Sequence, residues 1–333
     1  MVELTSELSV RAPEAATASG GRPGGPRLSW WPGLGGKVTS LRFGEYGREW
    51  LAPPVRPLAA PAPGQDWGEL DCSGWDECLP NLGASAADGL ADHGDVWRYP
   101  WTVVPGAACG SVAPPHREYR FARDITAQDS TLRIEYRLEN VGGRPLDWAW
   151  AQHLLLAADE RTRIVSSAPM RFRVDGAFEA AFPAAGFDWL APDVAPAVAL
   201  DLAGAVGRAA KLWFEPPLPA VVAVVNGEEW LAWRIAESSF PHLGLWVNLG
   251  GWGDLPLRHL ALEPAFGAHD RPADAYPDLD PLAAGESRTW RVVIEAGVGA
   301  PALRALLSTA ERHFPEQRAA DARTTRSSTM KAE

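Results

Sequence analysis

The residues best suited to chemistry lie between positions 240 and 267, where a carboxylate follows an aromatic, glycine-rich turn. Before the turn, Trp246 and Asn248 alternate with aliphatic residues, and after it Glu263 alternates with leucines. This period of two predicts two strands, each with one apolar and one polar face. If the two strands are neighbours, Trp246, Asn248 and Glu263 lie on the same face of the sheet. The alternative is a solvated glutamate, because Pro264 follows directly and predicts that the strand ends at Glu263.

Two histidines could supply a further titratable group. His153 lies in the apolar run 147–156, which predicts an inner strand, and His93 lies in a polar loop between Asp92 and Asp95. A histidine in an apolar strand can equally be a core residue that donates to a backbone carbonyl. His93 and its aspartates could bind zinc or manganese. No second cluster with ligand spacing accompanies them, so no metal site is expected.

Asp76 and Glu77 could be the paired acids of a glycosidase, in which two carboxylates flank the scissile bond. Adjacent residues on a strand point to opposite faces, so the two cannot act together unless the chain bends there.

Tryptophan is unusually common, with 16 residues against five tyrosines. Several tryptophans lie among Gly, Asp, Asn and Pro rather than inside aliphatic runs: Trp67, Trp75, Trp97, Trp101, Trp246 and Trp252. A flat aromatic face beside hydrogen-bonding groups suits a sugar ring. The alternative for any one of them is a place in the core.

Composition narrows the classes of protein. The 42 acidic and 31 basic residues give a net charge of -11, which argues against nucleic acid or an anionic membrane as a partner. Three cysteines form neither a disulfide framework nor a CxxC pair, which favours a reducing, cytoplasmic setting. The first residues lack the positive charge and apolar stretch of a signal peptide, and no apolar run is long enough to span a bilayer.

Many short alternating runs without intervening helical patterns predict an all-β fold, a large antiparallel sandwich. Residues 131–139 show the clearest alternation, and 37–43 with 48–51 suggest a hairpin. Residues 71–101 read as polar loops, where functional side chains concentrate. A helical pattern over 300–314 predicts one C-terminal helix. The expected organisation is a mobile lead-in at 1–27, one β-domain at 28–298, the helix at 299–316 and a disordered tail at 317–333.

From about residue 28 to residue 296 the chain resembles the galactose mutarotase-like superfamily, which includes aldose 1-epimerases. The resemblance rests on WPGLGGKVTSLRFGEYGREWL, on GWDECLPNL with DHGDVWRYPW, and on GLWVNLGG with LALEP. It implies that superfamily's large antiparallel β-sandwich.

The resemblance also implies an activity, the interconversion of α and β anomers of a free hexose through the open-chain aldehyde. Glu263 would be the base that takes the O1 proton, His153 the acid that protonates the ring oxygen, and His93 would hold that oxygen or a hydroxyl. No cofactor is needed, the partner is a small sugar, and the protein is expected to be a monomer or weak homodimer. The substrate-binding residues expected beside these three are Trp75, Asp76, Trp97, Arg98, Trp246, Asn248 and Arg258.

Two other functions fit the same sequence. A sugar-6-phosphate epimerase would need a cation near the phosphate, for which Arg98 or Arg258 could serve. A carbohydrate-binding protein without catalysis would keep the cleft and the tryptophans alone.

Overall fold

Two antiparallel sheets stacked face to face form the protein, as the sequence predicts. The computed structural model describes residues 16–19, 25–43, 47–104, 108–175 and 199–310. In these residues the first sheet has the spatial order β1 (Ala16–Ser19), β2 (Pro26–Trp31), β3 (Lys37–Phe43), β4 (Trp75–Cys78), β9 (Trp150–Leu154), β18 (Arg258–Phe266), β17 (His242–Leu249), β14 (Ala209–Phe214) and β12 (Phe172–Val174), with β10 (Leu156–Ala157) also pairing with β18.

The second sheet covers the inner face of the first. Its spatial order is β13 (Ala199–Asp201), β11 (Arg163–Ser166), β15 (Val221–Asn226), β16 (Glu229–Arg234), β19 (Ser287–Val298), β8 (Thr131–Asn140), β7 (Tyr119–Gln128), β6 (Cys109–Val112) and β5 (Thr102–Val103). Strand β8 has the predicted alternation, since buried and exposed residues follow each other along it. A short helix α1 (Pro272–Ala275) precedes β19, and residues 300–310 are helical.

The inner faces of both sheets form one large apolar core that also contains a buried ion pair. Glu77 on β4 accepts hydrogen bonds from Arg123 and Tyr136 of the second sheet, at 3.0 and 3.1 Å. Trp75 and Trp150 of its own sheet donate to the same carboxylate at 2.9 and 3.0 Å. Four donors stabilise a charge that burial alone would disfavour. The two sheets are therefore joined by a polar contact at their centre.

Three local predictions were wrong. Strand β3 forms ladders with β2 and β4, whereas residues 48–51 form no ladder with it and contribute one backbone hydrogen bond, from Trp50 N to the Leu41 carbonyl at 3.0 Å, and a bridge from Leu51 to Leu156. Strand β4 lies inside the segment predicted as loops, because all four of its residues are buried and no polar-apolar alternation marks it. Strand β18 continues through Pro264 to Phe266. On the side of β9 and β10, residues 261–264 have no ladder partner, and this gap accommodates a residue without an N–H.

The ends of the chain lie partly outside the described residues. Strand β1 falls within the predicted lead-in and pairs with β2, whereas residues 1–15 and 20–24 of that lead-in are not described. Residues 300–310 confirm the C-terminal helix, whose Leu303 packs on the outer face of β15 and β16. Its predicted end at 316 and the tail at 317–333 lie outside the described residues. No helix in the described ranges has the length and apolarity to cross a bilayer.

Candidate active site

The outer face of the first sheet brings the predicted acid and base together at the junction of β9, β10 and β18. The ladder pairs that flank the junction are Ala265 with Ala151 and Leu260 with Leu156. Four residues separate the pairs on each strand, so the common register sets His153 opposite Glu263. The two residues lie in the gap between the two ladders, and the shared register places both side chains on the same face of the sheet. The same register sets Asp76 of β4 beside His153.

A cavity of about 390 Å³ covers this face. This volume lies in the range of small-molecule sites. Five predicted site residues line the cavity: Glu263, His153, His93, Trp246 and Asn248. The other side chains that line it include Arg56, Trp67, Cys72, Cys78, Leu82, Asp92, Leu155, Lys211, Trp252, Asp254, Leu255, Leu257, His259 and Asp270.

Glu263 is buried at the cavity floor and is anchored through one oxygen only. Its Oε2 accepts a short hydrogen bond from Lys211 Nζ, whereas its Oε1 is buried and has no hydrogen-bond partner in the described residues. The lysine is shared, because Asp270 Oδ1 lies 3.3 Å from the same nitrogen. Burial lowers the pKa of Lys211, but Asp270 and Glu263 outweigh it and hold that pKa above its ordinary value. Burial raises the pKa of Asp270 to about 7 despite the opposing effect of Lys211.

Gly244 makes room for this arrangement. It is the β17 residue opposite Glu263, and a Cβ placed on it would lie 3.3 Å from Glu263 Oε2 and 3.2 Å from the Trp213 ring. Both distances are tighter than ordinary van der Waals contact, so a larger residue would push the carboxylate or the indole aside.

His93, His153 and Trp67 form an aromatic cluster above the floor. The His93 ring lies 4.5 Å from the His153 ring and stacks on Trp67 at 4.6 Å between centroids. His93 adopts a left-handed backbone conformation, with φ of 60°, which turns the loop toward β9. Strain of this kind is common at functional sites.

The two imidazoles differ in their affinity for a proton. Burial lowers the pKa of His93, but Asp92, whose Oδ2 lies 2.9 Å from Nδ1, raises it more, so the pKa lies above its usual value. Burial, together with the positive charges of His93 and Lys211, lowers the pKa of His153 well below its usual range. A proton shared by the pair therefore favours His93 over His153.

Asp76 supports the site from behind instead of lining the cavity. Its Oδ2 accepts hydrogen bonds from Trp67 Nε1 at 3.0 Å and from Lys37 Nζ at 2.5 Å. Lys37 is itself buried and also contacts Asp71 at 3.1 Å. These contacts hold the Trp67 indole against the histidines, and the hydroxyl-binding role of Asp76 stays a prediction.

Asn248 shapes a loop. Its Oδ1 accepts from the backbone nitrogens of Gly250, Gly251 and Trp252 at 3.1 to 3.2 Å, and its Nδ2 donates to the Trp252 carbonyl at 3.0 Å. With every polar side-chain atom occupied in this way, Asn248 is better suited to fixing the loop over the cavity than to binding a hydroxyl.

Trp246 and His259 lie side by side between that loop and Glu263. The Trp246 indole donates to His259 Nε2 at 3.1 Å. An accepting Nε2 requires a neutral ring, and burial lowers the pKa of His259 to about 4.

Four predicted substrate-binding residues besides Asp76 do not line the cavity. Trp75 is fully buried in the core because its position on β4 faces the second sheet. Trp97 is buried beneath the Arg98 guanidinium, 4.4 Å from its ring centroid. Arg258 is exposed and pairs with Glu160 at 3.2 Å. The sequence reasoning missed Lys211 and Asp270, although a lysine inside the apolar run AAKLWF was a usable signal. Among the described residues, no group of three His, Cys, Asp or Glu side chains is arranged to hold a metal ion.

Comparisons with known proteins bear on the fold alone. No protein-family model matches the chain, and no curated protein matches it. The Slr1438 protein from Synechocystis sp. PCC 6803 aligns with a TM-score of 0.62 at 18% identity, over 86% of this chain and 97% of that one. A galactose mutarotase-like protein from Lactobacillus casei ATCC 334 gives 0.63 at 13% identity, over 85% and 100%. A galactose mutarotase related enzyme from Lactobacillus acidophilus gives 0.62 at 12% identity, over 86% and 98%. The chain therefore has the galactose mutarotase-like fold, as its sequence motifs predicted.

Proposed function

We propose that the protein is an aldose 1-epimerase-like enzyme that interconverts the α and β anomers of a free, uncharged sugar. The observation that carries the proposal is the buried Oε1 of Glu263, which has no hydrogen-bond partner in the described residues and lies opposite His153 on a cavity floor. A buried acceptor of this kind is costly unless a ligand satisfies it. The hemiacetal hydroxyl of a sugar is such a donor.

Anomer exchange needs only proton transfers. Glu263 Oε1 takes the proton from the O1 hydroxyl, the C1–O1 bond becomes a double bond, and the bond from C1 to the ring oxygen breaks as an imidazole protonates that oxygen. Rotation about the C1–C2 bond exposes the other face of the aldehyde. The reverse transfers close the ring and restore both side chains. Groups that titrate near neutral pH are suited to such transfers.

The two histidines divide the acid role. Of the two, His93 is the better proton carrier, because Asp92 raises the pKa of His93 while that of His153 is lowered. A cationic imidazole is a much stronger acid than a neutral one, so His93 supplies the proton for the ring oxygen, directly or through His153. This reverses the roles that the sequence resemblance implied.

An uncharged substrate fits the cavity better than a sugar phosphate. Arg98 and Arg258, the predicted phosphate-binding residues, do not line the cavity. Of the arginine and lysine side chains that do, Arg56 donates to the carbonyls of Gly68 and Leu70, and Lys211 lies between two carboxyls. A dianionic phosphate would have to compete for both.

The test is anomer exchange on freshly dissolved α-aldoses, followed by polarimetry or exchange NMR at a pH where spontaneous mutarotation is slow. Wild-type protein should accelerate equilibration, and Glu263→Gln should do so at least about a hundredfold less. Glu160→Gln, at an exposed carboxylate paired with Arg258, is the matched control. If the wild type accelerates no neutral aldose yet still binds sugars, the protein is a carbohydrate-binding protein with this fold.

A further inference from the structure

The cavity floor carries a second carboxyl that the proposed reaction does not use. Asp270 lines the cavity, and its Oδ1 lies 3.3 Å from Lys211 Nζ, is buried and accepts no hydrogen bond from the described residues. The side chain is 14% exposed, so the carboxyl can meet a ligand through Oδ2. Burial raises the pKa of Asp270 to about 7 although Lys211 opposes that rise, which indicates a carboxyl short of hydrogen-bond donors.

Backbone contacts hold Asp270 in this place. Its N–H donates to Asp175 Oδ2 at 3.0 Å, and its carbonyl accepts from the Gly83 N–H at 2.8 Å. Asp175 is fixed in turn, because the same Oδ2 accepts from the Trp213 indole at 2.8 Å and its N–H donates to the Lys211 carbonyl at 3.0 Å. A carboxyl that is fixed before a ligand arrives loses less freedom when the ligand binds.

The strand order gives Glu263 two different sides. Strand β9, which carries His153, neighbours β18 on one side, and β17 followed by β14 lies on the other. Lys211 on β14 contacts Glu263 Oε2 from beyond β17, where the residue opposite Glu263 is Gly244 and no side chain blocks the contact. Because Asp270 contacts the same lysine, its carboxyl lies on the β14 side, away from the imidazole of His153.

The anomeric carbon of an aldose ring has two ring neighbours, the ring oxygen and C2. In the proposed reaction Glu263 Oε1 takes the O1 proton and an imidazole protonates the ring oxygen. With His153 on the β9 side of Glu263, the C2 substituent falls on the β14 side, where Asp270 lies. Two oxygens in contact with one lysine nitrogen are roughly 6 Å apart at most, so the two carboxyls can accept from adjacent hydroxyls of one ring.

We propose that Asp270 is a specificity-determining residue, which accepts a hydrogen bond from the C2 hydroxyl and restricts the enzyme to aldoses with a hydrogen-bond donor at C2. This role rests on the proposed function, because Glu263 at O1 defines which hydroxyl comes next. Asp270 transfers no proton itself. A 2-deoxy sugar would leave its carboxylate without a donor in the closed complex, and such sugars are therefore poor substrates.

Anomer exchange on glucose, 2-deoxyglucose and 3-deoxyglucose tests this role. The quantity compared is the ratio of kcat/KM between wild type and Asp270→Ala for each sugar, in which the intrinsic reactivity of that sugar cancels. Asp270→Ala should lose at least about tenfold more on glucose and 3-deoxyglucose than on 2-deoxyglucose. Asp270→Asn keeps the size of the side chain and an acceptor oxygen, so it should recover part of the loss on glucose.

Asp274→Asn is the matched control, because its exposed carboxyl lies in the same segment and pairs with Arg271 at 3.7 Å. It should treat all three sugars as the wild type does. If Asp270 acted only through Lys211 and Glu263, Asp270→Ala would lower kcat/KM equally for the three sugars, and the proposed role would be overturned. A loss on 2-deoxyglucose that is absent on 3-deoxyglucose would overturn it as well, because the contact would then be to O3.

Calorimetric titration of the same proteins with the same sugars makes the test independent of turnover. Exchange by the wild type with equal losses in Asp270→Ala would retain the epimerase function and overturn the role of Asp270. No exchange, combined with a preference for glucose over 2-deoxyglucose that Asp270→Ala abolishes, would reject the epimerase function and retain the contact with the C2 hydroxyl. No preference in either measurement would overturn that contact.

Discussion

Lys211 lies between the carboxyls of Glu263 and Asp270, and its positive charge offsets the cost of burying them at the cavity floor. Glu263 takes its hydrogen bond through one oxygen, and this leaves the other oxygen for a ligand. The ion pair of Lys211 and Glu263 therefore stabilises the fold and also orients Glu263, the proposed base.

Replacing this lysine should affect stability and activity together. Lys211→Met leaves Glu263 and Asp270 facing each other without a cation, so the free energy of unfolding should fall by about 3 kcal/mol near pH 8. The loss should be smaller at pH 5, because Asp270, whose pKa burial raises to about 7, is then protonated and no longer repels Glu263. Urea unfolding at the two pH values measures this.

Arg258→Met removes an exposed ion pair and serves as the control, with a change within about 0.5 kcal/mol. Equal losses for the two variants would show that the buried network contributes nothing special.

The charge on His93 predicts a pH dependence. In the proposed reaction protonated His93 supplies the proton for the ring oxygen, and its pKa lies above the ordinary value, so activity should fall as pH rises through that raised pKa. The stability contributed by the contact with Asp92 follows the same sign: it is complete below the ordinary histidine pKa of about 6.5 and is lost as pH rises through the folded-state value.

Asp92→Asn should move both transitions to lower pH, because burial then acts on the imidazole without its carboxylate. The His93 ring-proton titration by NMR and the pH dependence of kcat measure the shift. Asp88→Asn is the control, because the Asp88 carboxylate lies in the same loop and accepts a hydrogen bond from the Ser85 hydroxyl. An alkaline fall in activity that stays unchanged in Asp92→Asn would assign that fall to another group.

At the scale of strands, the site depends on register. The ladders of β4 with β9 and of β18 with β17, together with the common register of β9, β10 and β18, align Asp76, His153, Glu263 and Gly244 in one row across the sheet. A slip of one residue in any of these strands would turn that strand's member of the row toward the core.

The Gly244→Ala substitution changes one member of this row and should leave the strand pairing intact. Alanine in a strand interior is favoured over glycine by roughly 0.5–1 kcal/mol, which offsets the tight contacts of its methyl group. Thermal stability should therefore change little. The methyl would displace Glu263, and since small misplacements are costly, kcat should fall at least about tenfold.

Gly297→Ala cannot serve as a control for this substitution. Its added Cβ would lie 2.2 Å from an atom of the Trp230 ring, which is far inside van der Waals contact. Unchanged kcat in Gly244→Ala, measured by anomer exchange, would show that the site tolerates movement of the carboxylate.

Sequence patterns predicted the strands that alternate and the face shared by Trp246, Asn248 and Glu263, since a period of two is visible without tertiary information, whereas only the family resemblance linked His153 to Glu263. They could not separate Trp75 from Trp246, because which sheet face meets the second sheet depends on the whole sandwich. His93 approaches β9 through a left-handed turn that residue type does not announce. Asp270 follows β18 in an irregular segment, so no periodicity placed it.

At the scale of the whole molecule, Arg123 and Glu77 connect the two sheets inside the core. Arg123→Met would leave the Glu77 carboxylate buried without its cation, and the free energy of unfolding should fall by about 4 kcal/mol. The double variant with Glu77→Gln should be less destabilised than the sum of the single changes, because the two residues interact directly.

Arg120→Met, on the exposed face of the same strand, is the matched control. Chemical denaturation of the four proteins completes the cycle, and strict additivity would show that the sheets are not coupled through this pair.

The scarcity of lysine has a practical consequence for labelling. Only three of the 31 basic residues are lysines, and both of those in the described residues, Lys37 and Lys211, are at least nine-tenths buried in ion pairs. Amine-directed reagents should therefore leave these two untouched in the native protein. Their modification would report that the protein has opened around the cavity, so mass spectrometry of acylated Lys211 could follow unfolding of this region without any introduced probe.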